Sequence, residues 1–486
     1  MFVVAAITGC AVGPDFLRPA PPKTDHYTPT PIPQETAAAP GIGGTAQRFV
    51  SGQDIPAQWW TLFHSEALDQ LIRQALTNSP TLEAAQATLR EAQENLRAEE
   101  GVLFPAVDAN ASGTRQRFSG AAFGEPNLPN SLFNLYNASV SVSYGLDIFG
   151  GTRRELEALR SQVDYQSFQL EGTYLALTTN IVTTAVKEAS LRAQIDATGD
   201  IITAQEKQLD MVEQQFNVGG ASRPDVLTQR TQLAQTRATL PPLEKNLAQT
   251  RHQLAVYAGN LPSDGGLPEF RLESLQLPQD LPITLPSQLV RQRPDIRASE
   301  ALLHQANAQI GVATANLYPQ ITLSGSYGSE TTEFNNLFGS GTGVWSLGTS
   351  LLQPIFRGGQ LTAQRRAAIA AHDEAAAQYR ETVLQAFQNV ADTLRALEMD
   401  AKTLQAQADA ESLARETLDL TQKQFQLGAV SYLSLLNAQR QYQQTRINLV
   451  QAQAVRYADT AALFQALGGG WWNRTVADTT SAGKTN

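Results

Sequence analysis

The sequence predicts an α+β fold in which pairs of strands alternate with long antiparallel coiled-coil helices. Three observations support this prediction. Apolar and polar residues alternate strictly in several segments, such as residues 137–144 (NASVSVSY), and this alternation is typical of a strand with two different faces. Residues 361–427 contain neither Gly nor Pro, and a helix over that stretch would extend roughly 100 Å at about 1.5 Å per residue. The same order of segments then occurs twice along the chain.

The two halves of the chain form an internal repeat. Residues 216–219 (FNVG) correspond to residues 425–428 (FQLG), an offset of 209 (425 minus 216). The same offset pairs Gly259 with Gly468. A repeat of this length is far longer than a solenoid unit. The chain is therefore predicted to contain two copies of a helix–strand–strand–helix–helix unit.

The N-terminal region is predicted to be a processed signal followed by a tether. Residues 2–7 form a short apolar run. The single cysteine, Cys10, is the last residue of the motif ITGC at residues 7–10. This sequence resembles a bacterial lipobox, although a signal peptide normally opens with positive charge and a longer apolar stretch. We interpret residues 1–10 as signal peptide and lipobox. Residues 11–58 are rich in proline, which favours an extended tether from the membrane surface to the folded body.

The first repeat is assigned to residues 59–259. Good helix formers dominate its first part, and the consecutive prolines Pro241 and Pro242 should break or kink its last helix. Alternation defines its two strands. The predicted elements are a helical region at about 59–100, strands at about 106–116 and 136–147, and helices at 152–218 and 224–259.

An irregular connector and the second repeat follow. Residues 260–287 hold five prolines and are predicted to be the connector of an equatorial region. The second repeat is assigned to residues 288–472, and residues 473–486 are predicted to be a disordered tail. Its predicted elements are a helix at 288–316, strands at about 320–329 and 343–353, and helices at 361–427 and 429–467.

The strands predict a membrane protein made of several chains. No apolar run approaches the roughly 20 residues of a membrane-spanning helix, whereas each strand is long enough to cross when tilted. Four strands cannot close a barrel. An open sheet edge in lipid would leave backbone N–H and C=O groups unpaired at a prohibitive energetic cost. Several chains must therefore share one barrel. The alternative is a half-buried sheet of a soluble protein, which would not need long helices leading away from one end of each hairpin.

Composition argues against nucleic-acid binding and against an enzyme. The formal net charge is −10 and the isoelectric point is near 5.2, whereas nucleic acids are bound through Lys and Arg. The five histidines are scattered, and the sequence has no phosphate loop, nucleophile elbow or metal-spaced His/Cys set. No catalytic residue, metal site or cofactor is therefore predicted.

Five motifs in order resemble one family. They are ITGCAVGPDF at 7–16, WWTLF at 59–63, RPDIR at 293–297, LSLLNAQR at 433–440 and LGGGW at 467–471. Together they resemble the TolC/OprM-like outer-membrane efflux proteins, in particular the NodT-type lipoproteins of RND efflux systems. The resemblance covers about residues 7–472.

This resemblance implies a lipid-anchored homotrimer in the cell outer membrane. Three chains would share a β-barrel of about twelve strands, and their helices would form a periplasmic α-barrel. Cys10 would carry N-acyl and S-diacylglycerol lipid, including palmitate. The chain would be the passive exit duct of a tripartite pump, together with a periplasmic adaptor protein and an inner-membrane RND pump, and would export small molecules such as drugs.

The resemblance also places two turns, at 218–223 and 427–431, at the lower, gated end. Gly219, Gly220 and Gly428 end breaker-free helices there and are expected to contact the adaptor. Related channels often carry an acidic residue where this chain has Ser434 or Asn437. The repeat pairs Ser434 with Asp225, which is therefore the nearest acidic gate candidate, although a carboxylate beside Pro224 also fits a helix N-terminus. Closure is predicted to rely on hydrogen bonds of Asn437 and Ser434 and on helix packing, not on a dense acidic ring.

Three alternatives remain open. The same fold could serve type I protein secretion or heavy-metal efflux. The lipobox and RPDIR motifs favour drug or metal efflux over protein secretion. Only three methionines are present, which does not support a soft-metal relay. A structural coiled-coil protein or adhesin without a channel is the second alternative, and an enzyme is the third.

Overall fold

The computed structural model describes residues 11–119 and 131–474. This part of the chain divides into two compact units. The strand unit comprises residues 11–19, 88–119, 131–167 and 298–380, and the helical unit comprises residues 20–87, 168–297 and 381–474.

The elements of the described residues follow the repeated order that the sequence predicts. In chain order they are β1 (Arg48–Ser51), α1 (Glu66–Asn78), α2 (Pro80–Glu100), β2 (Ala106–Phe118), β3 (Ser131–Leu146), α3 (Gly151–Asn217), α4 (Arg223–Tyr257), β4 (Asp280–Ile283), α5 (Pro286–Gln292), α6 (Pro294–Ala315), β5 (Gln320–Thr331), β6 (Gly343–Leu352), α7 (Gln360–Gln426) and α8 (Tyr432–Ala466).

The strand unit contains a four-stranded antiparallel sheet in the order β2-β3-β5-β6. The central pair, β3 and β5, joins the two repeats, with Val140 opposite Tyr327. Strand β3 begins at Ser131, earlier than the predicted residue 136. The sequence hides this start because Phe133 and Leu135 share a face with Ser139 and thereby break the alternation.

Prolines divide some helices and leave another uninterrupted. Pro80 starts α2, and Pro294 separates α5 from α6, where one helix was predicted over 288–316. The residue before each proline is extended, as expected. A break or kink was predicted at Pro241 and Pro242, and the break is wrong, because α4 runs through both. Both prolines are exposed, so the carbonyls that lose an N–H partner can hydrogen-bond to water.

The helical unit has one apolar core. Trp59 and Phe63 are buried in it, and the Trp59 ring stacks on Phe464 with centroids 5.3 Å apart. Leu254 and Leu394 complete the same cluster from α4 and α7. The WWTLF motif of the sequence is therefore a packing motif.

Residues 11–58, which the sequence predicts to be an extended tether, fold back at a turn over residues 41–44 and are bound to the folded body. Strand β1 pairs in parallel with β4 of the connector. Arg456 on α8 is fully buried and donates to the carbonyl oxygens of Gly43 (2.6 Å) and Thr45 (3.1 Å) and to the side chains of Thr36 and Gln47 (3.1 Å each). Proline density indicates that this segment is not helical, but no local pattern reveals a partner more than 400 residues further along the chain.

The RPDIR motif also has a structural role. The Arg293 guanidinium pairs with Asp295 (2.7 Å) and donates to the carbonyl oxygen of Ala466 at the end of α8 (2.8 Å). It thus satisfies an orphan carbonyl at a helix C-terminus.

The predicted tail is fixed over its first two residues. Asn473 donates to the Ile55 carbonyl oxygen (2.8 Å), and the Arg474 guanidinium lies 3.9 Å from the Tyr174 ring centroid. Residues 475–486 lie outside the described residues.

None of the helices in the described residues combines the length and the apolar character needed to cross a membrane.

Candidate functional site

The predicted gate and docking residues lie at the two turns that join α3 to α4 and α7 to α8. In the first turn, the Gly219 N–H donates to the Phe216 carbonyl oxygen (3.0 Å), and the Gly220 N–H donates to that of Gln215 (2.7 Å). This pairing is a Schellman motif. Gly219 has a positive φ of 82°, whereas the φ of Gly220 is not positive. The backbone conformation therefore requires glycine at position 219 but not at position 220.

The second turn repeats the first. The Gly428 N–H donates to the Phe425 carbonyl oxygen (2.9 Å), and the Ala429 N–H donates to that of Gln424 (2.9 Å). Gly428 has a φ of 72°, which glycine adopts without strain. A Cβ at Gly428 would meet no heavy atom within 4 Å.

Each turn presents an exposed apolar side chain directly before its glycine. Val218 is 83% exposed and Leu427 is 84% exposed. These two residues correspond in the repeat. Sequence reasoning missed them, although the matched FNVG and FQLG segments contained the signal.

Asp225 and Ser434 occupy equivalent N-terminal positions of α4 and α8. The Asp225 N–H donates to Ser222 Oγ (3.4 Å), while the Ser222 N–H and hydroxyl donate to the Asp225 carboxylate (2.9 and 2.6 Å). This capping box engages the Asp225 carboxylate locally. In α8 the Ser434 N–H donates to Ser431 Oγ (3.3 Å), and the two hydroxyls are 3.0 Å apart.

A polar bridge between α4 and α8 lies beside these caps. The Tyr432 hydroxyl donates to Gln229 Oε1, and Arg440 Nε donates to Gln232 Oε1 (2.7 Å). Burial raises the pKa of the Tyr432 hydroxyl, and the nearby negative charge of Asp225 acts in the same direction. Sequence reasoning missed this bridge, since the repeat places Arg223 where α8 has Tyr432.

Asn437 lies on the exposed face of α8, one turn after the exposed Ser434. The structure thus places Ser434 and Asn437 on one solvent-facing stripe. It places Asp225 in the cap of α4, where its charge helps to raise the pKa of the Tyr432 hydroxyl at the start of α8.

The four-stranded sheet has two chemically different faces. One face carries large exposed apolar side chains, among them Tyr327 and Trp345, which are directly opposite each other and 72% and 76% exposed. The other face carries mainly Ser, Thr and Asn, with the hydroxyls of Ser326 and Ser346 2.8 Å apart. We call these the apolar face and the polar face.

The predicted lipidation residue, Cys10, lies outside the described residues. The residues directly after it are held by the strand unit. The Val12 N–H donates to the Phe149 carbonyl oxygen (3.0 Å), and Arg154 pairs with Asp15 (2.7 Å). Ala11 packs closely against Gly150. A Cβ added to Gly150 would lie 2.5 Å from the Cα of Ala11.

No group of three or more His, Cys, Asp or Glu side chains in residues 11–119 and 131–474 is arranged to hold a metal ion.

A family model described as outer membrane efflux protein matches residues 71–260 and 285–469. The chain belongs to the outer membrane efflux protein family. The toluene efflux pump outer membrane protein TtgC of Pseudomonas putida is 31% identical over 472 residues, which cover 96% of this chain and 94% of TtgC. The cation efflux system protein CusC of Escherichia coli is 28% identical over 473 residues, which cover 96% of this chain and 97% of CusC.

Solved structures of the family share the fold. The outer-membrane channel OprN superposes with a TM-score of 0.85 at 26% identity and covers 95% of this chain and 100% of its own. The open state of the MtrE outer membrane channel of Neisseria gonorrhoeae gives a TM-score of 0.80 at 26% identity. The match covers 95% of this chain and 99% of the MtrE chain. The predicted α+β channel fold and the resemblance to this efflux family are therefore confirmed.

Proposed function

We propose that this efflux protein is one protomer of a homotrimeric exit duct of a tripartite RND-type efflux pump, without enzyme activity or nucleic-acid binding. The observation that carries the proposal is the four-stranded sheet, with an apolar face, a polar face and two edges. Within the described residues, β2 pairs only with β3, and β6 pairs only with β5. Such edges in lipid need a partner.

The strand directions support closure by further copies of the same chain. Because the four strands alternate in direction, β6 of one copy and β2 of the next would run antiparallel. The polar faces would then line a water-filled lumen, and the apolar faces would meet lipid. Three copies give the roughly twelve strands expected from the family resemblance, which lies within the range of bacterial barrels.

Substrates of the relatives include organic compounds and cations. One relative is a toluene efflux protein and another belongs to a cation efflux system. We favour small organic molecules here, because the described thioethers are only Met211 and Met399 and soft metal ions prefer sulfur ligands. Heavy-metal efflux and type I secretion are the alternatives.

Lipid on Cys10 is supported by the position of the residues that follow it. Ala11 and Val12 lie beside the Phe149-Gly150 junction, where the sheet ends and α3 begins. In the proposed membrane orientation, that end of the sheet faces the periplasm. An acyl chain attached one residue earlier would be close to the inner leaflet of the outer membrane.

Labelled palmitate is expected to enter the full-length protein and not a Cys10→Ser variant. The variant should still form trimers, since the shared barrel is a second membrane attachment. The measurement is radioactivity per protein in the outer-membrane fraction. Equal labelling of both proteins would refute lipidation at Cys10.

The two turns are proposed to dock the periplasmic adaptor, which links the duct to the inner-membrane pump. Their exposed Val218 and Leu427 are an apolar pair of the kind that proteins bury on binding. In a trimer the pair would be presented three times.

Gly428→Val tests the function and the docking turn together. With a matching adaptor and pump, the wild type should restore drug resistance to a strain that lacks its own exit duct. The valine should weaken adaptor binding by about tenfold or more, equivalent to about 1.4 kcal/mol, and should lower resistance at an unchanged amount of trimer. Binding is measured with purified trimer and adaptor, and resistance by growth in drug.

Two variants separate docking from backbone strain. Gly265→Val introduces the same strain at a φ of 68°, with nothing within 4 Å, but in the connector. In Gly428→Asn, the asparagine can adopt the left-handed backbone conformation of this position, but it adds a side chain to the turn between α7 and α8. Loss of resistance with Gly265→Val, or loss only in proportion to protein level, would contradict a docking role. Failure of the wild type to restore any resistance would contradict the function itself.

A further inference from the structure

The apolar face of the sheet changes character along β2. Val107, Ala109 and Ala111 lie on this face, and every second residue continues it through Gly113 to Arg115 and Arg117. The two arginines lie near the hairpin end of the sheet, and the helices α2 and α3 adjoin the other end.

An aromatic layer separates the apolar part from the arginines. Tyr136 lies directly opposite Gly113, and a Cβ on that glycine would be 3.2 Å from the tyrosine ring. On its other side, the Tyr136 ring packs edge-on against Phe334, with centroids 5.4 Å apart. Tyr and Trp concentrate at the boundary between hydrocarbon and headgroups. Tyr136 therefore marks the depth at which the hydrocarbon ends.

Arg115 and Arg117 lie just beyond this boundary. A strand rises about 3.4 Å per residue, so they follow Gly113 by about 7 and 14 Å along β2. Both are exposed, and the residues directly opposite them on β3 are the uncharged Asn134 and Leu132. Every residue on this face of the four strands is non-acidic, whereas the acids Asp108 and Glu330 lie on the polar face.

We propose that Arg115 and Arg117 bind the phosphate groups of lipopolysaccharide in the outer leaflet. This inference rests on the proposed membrane location, which puts the hairpin end outside. A guanidinium fork matches phosphate oxygens bidentately. The two arginines project from the lipid-facing surface at headgroup depth, and the four described strands provide no carboxylate on that face. Threefold symmetry gives three such pairs around the channel.

The test compares binding of purified lipid A to delipidated full-length trimer, titrated by native mass spectrometry. Arg115→Gln with Arg117→Gln should weaken binding by about tenfold or more, because each basic residue near an anionic lipid surface contributes about fivefold. The matched control adds Thr114→Arg and Gln116→Arg to that double variant. It restores the charge on the polar face of the same strand and should not restore binding.

The lipid itself provides the second arm. Lipid A without its phosphates should bind the wild type as weakly as bisphosphorylated lipid A binds the double variant, and millimolar inorganic phosphate should not compete. Equal binding by the wild type and the double variant, or recovery in the control, would overturn the inference. Equally tight binding of phosphatidylglycerol would overturn the assignment to lipopolysaccharide.

Two further measurements keep the outcome interpretable. If the double variant does not form trimers, Arg117→Gln alone, at the exposed end of the strand, should still weaken binding by about half of that effect on a logarithmic scale. A wild-type trimer that conducts in bilayers but binds lipid A no better than the variant would refute only this inference. A protein that neither forms trimers nor conducts would refute the proposed function.

Discussion

Placing an arginine at Val140 is expected to prevent the trimer from accumulating in the outer membrane. Val140 lies on the apolar face of β3, midway between Tyr136 and Tyr144, and is opposite Ala109 and Tyr327. In the proposed barrel it faces the middle of the bilayer. A lipid-facing arginine at that depth costs about 2–4 kcal/mol, and the trimer contains three of them.

Ser141→Arg is the matched control, since it changes the adjacent residue at nearly the same depth. Ser141 lies on the polar face, where Asn110 donates to its hydroxyl (3.1 Å). Losing that bond costs about 1 kcal/mol, and the new side chain extends into a lumen filled with water. We therefore expect trimers at near wild-type levels.

Trimer in the outer-membrane fraction is measured by mass in mild detergent, where the wild type should contain three chains and conduct in planar bilayers. A Val140→Arg trimer that accumulates and conducts normally would mean that this face does not meet lipid. Equal loss with Ser141→Arg would mean that the strand tolerates no bulk, whichever face is changed.

The sequence predicts the fold well where a local period repeats over many residues. Alternation locates β2, β5 and β6 to within two residues, and the Gly428 break separates α7 from α8. Prediction was less accurate where the period weakens, as at the start of β3, where Phe133 lies on the polar face.

Contacts between distant parts of the chain could not be predicted from local pattern. The Arg456 interactions with the N-terminal segment join residues more than 400 positions apart, and the bond from Tyr432 to Gln229 spans 203. One buried arginine or tyrosine among the many polar residues of a long helix gives no periodic signal. The repeat did locate the glycines of the two turns, because the same Schellman geometry recurs at the same offset.

The charge at the gate distinguishes the candidate site residues from one another. The Asp225 carboxylate accepts two hydrogen bonds from Ser222 in a capping box, whereas Asn437 is exposed on α8. A carboxylate engaged as a cap is less available to a passing cation than one on the exposed stripe. That closure here does not depend on a dense acidic ring stays a prediction.

We expect the wild-type pore to be blocked only weakly by a trivalent cation added from the periplasmic side, and Asn437→Asp to strengthen this block by about a hundredfold. Threefold symmetry turns the substitution into a ring of three negative charges. Coulomb attraction between that ring and a trivalent ion, after screening by salt, is on the order of 3 kcal/mol at separations near 6 Å in water. Single-channel current in planar bilayers measures the blocking concentration.

Two controls place the effect at Asn437. Gln441→Asp adds the same charge to the exposed stripe, but about 6 Å further along α8, and should strengthen block less if Asn437 is at the constriction. Asp225→Asn should leave the weak wild-type block unchanged, because its carboxylate is engaged with Ser222. Strong block of the wild type that Asn437→Asp does not alter, and that Asp225→Asn abolishes, would instead assign cation sensitivity to Asp225 and contradict a gate closed by neutral side chains.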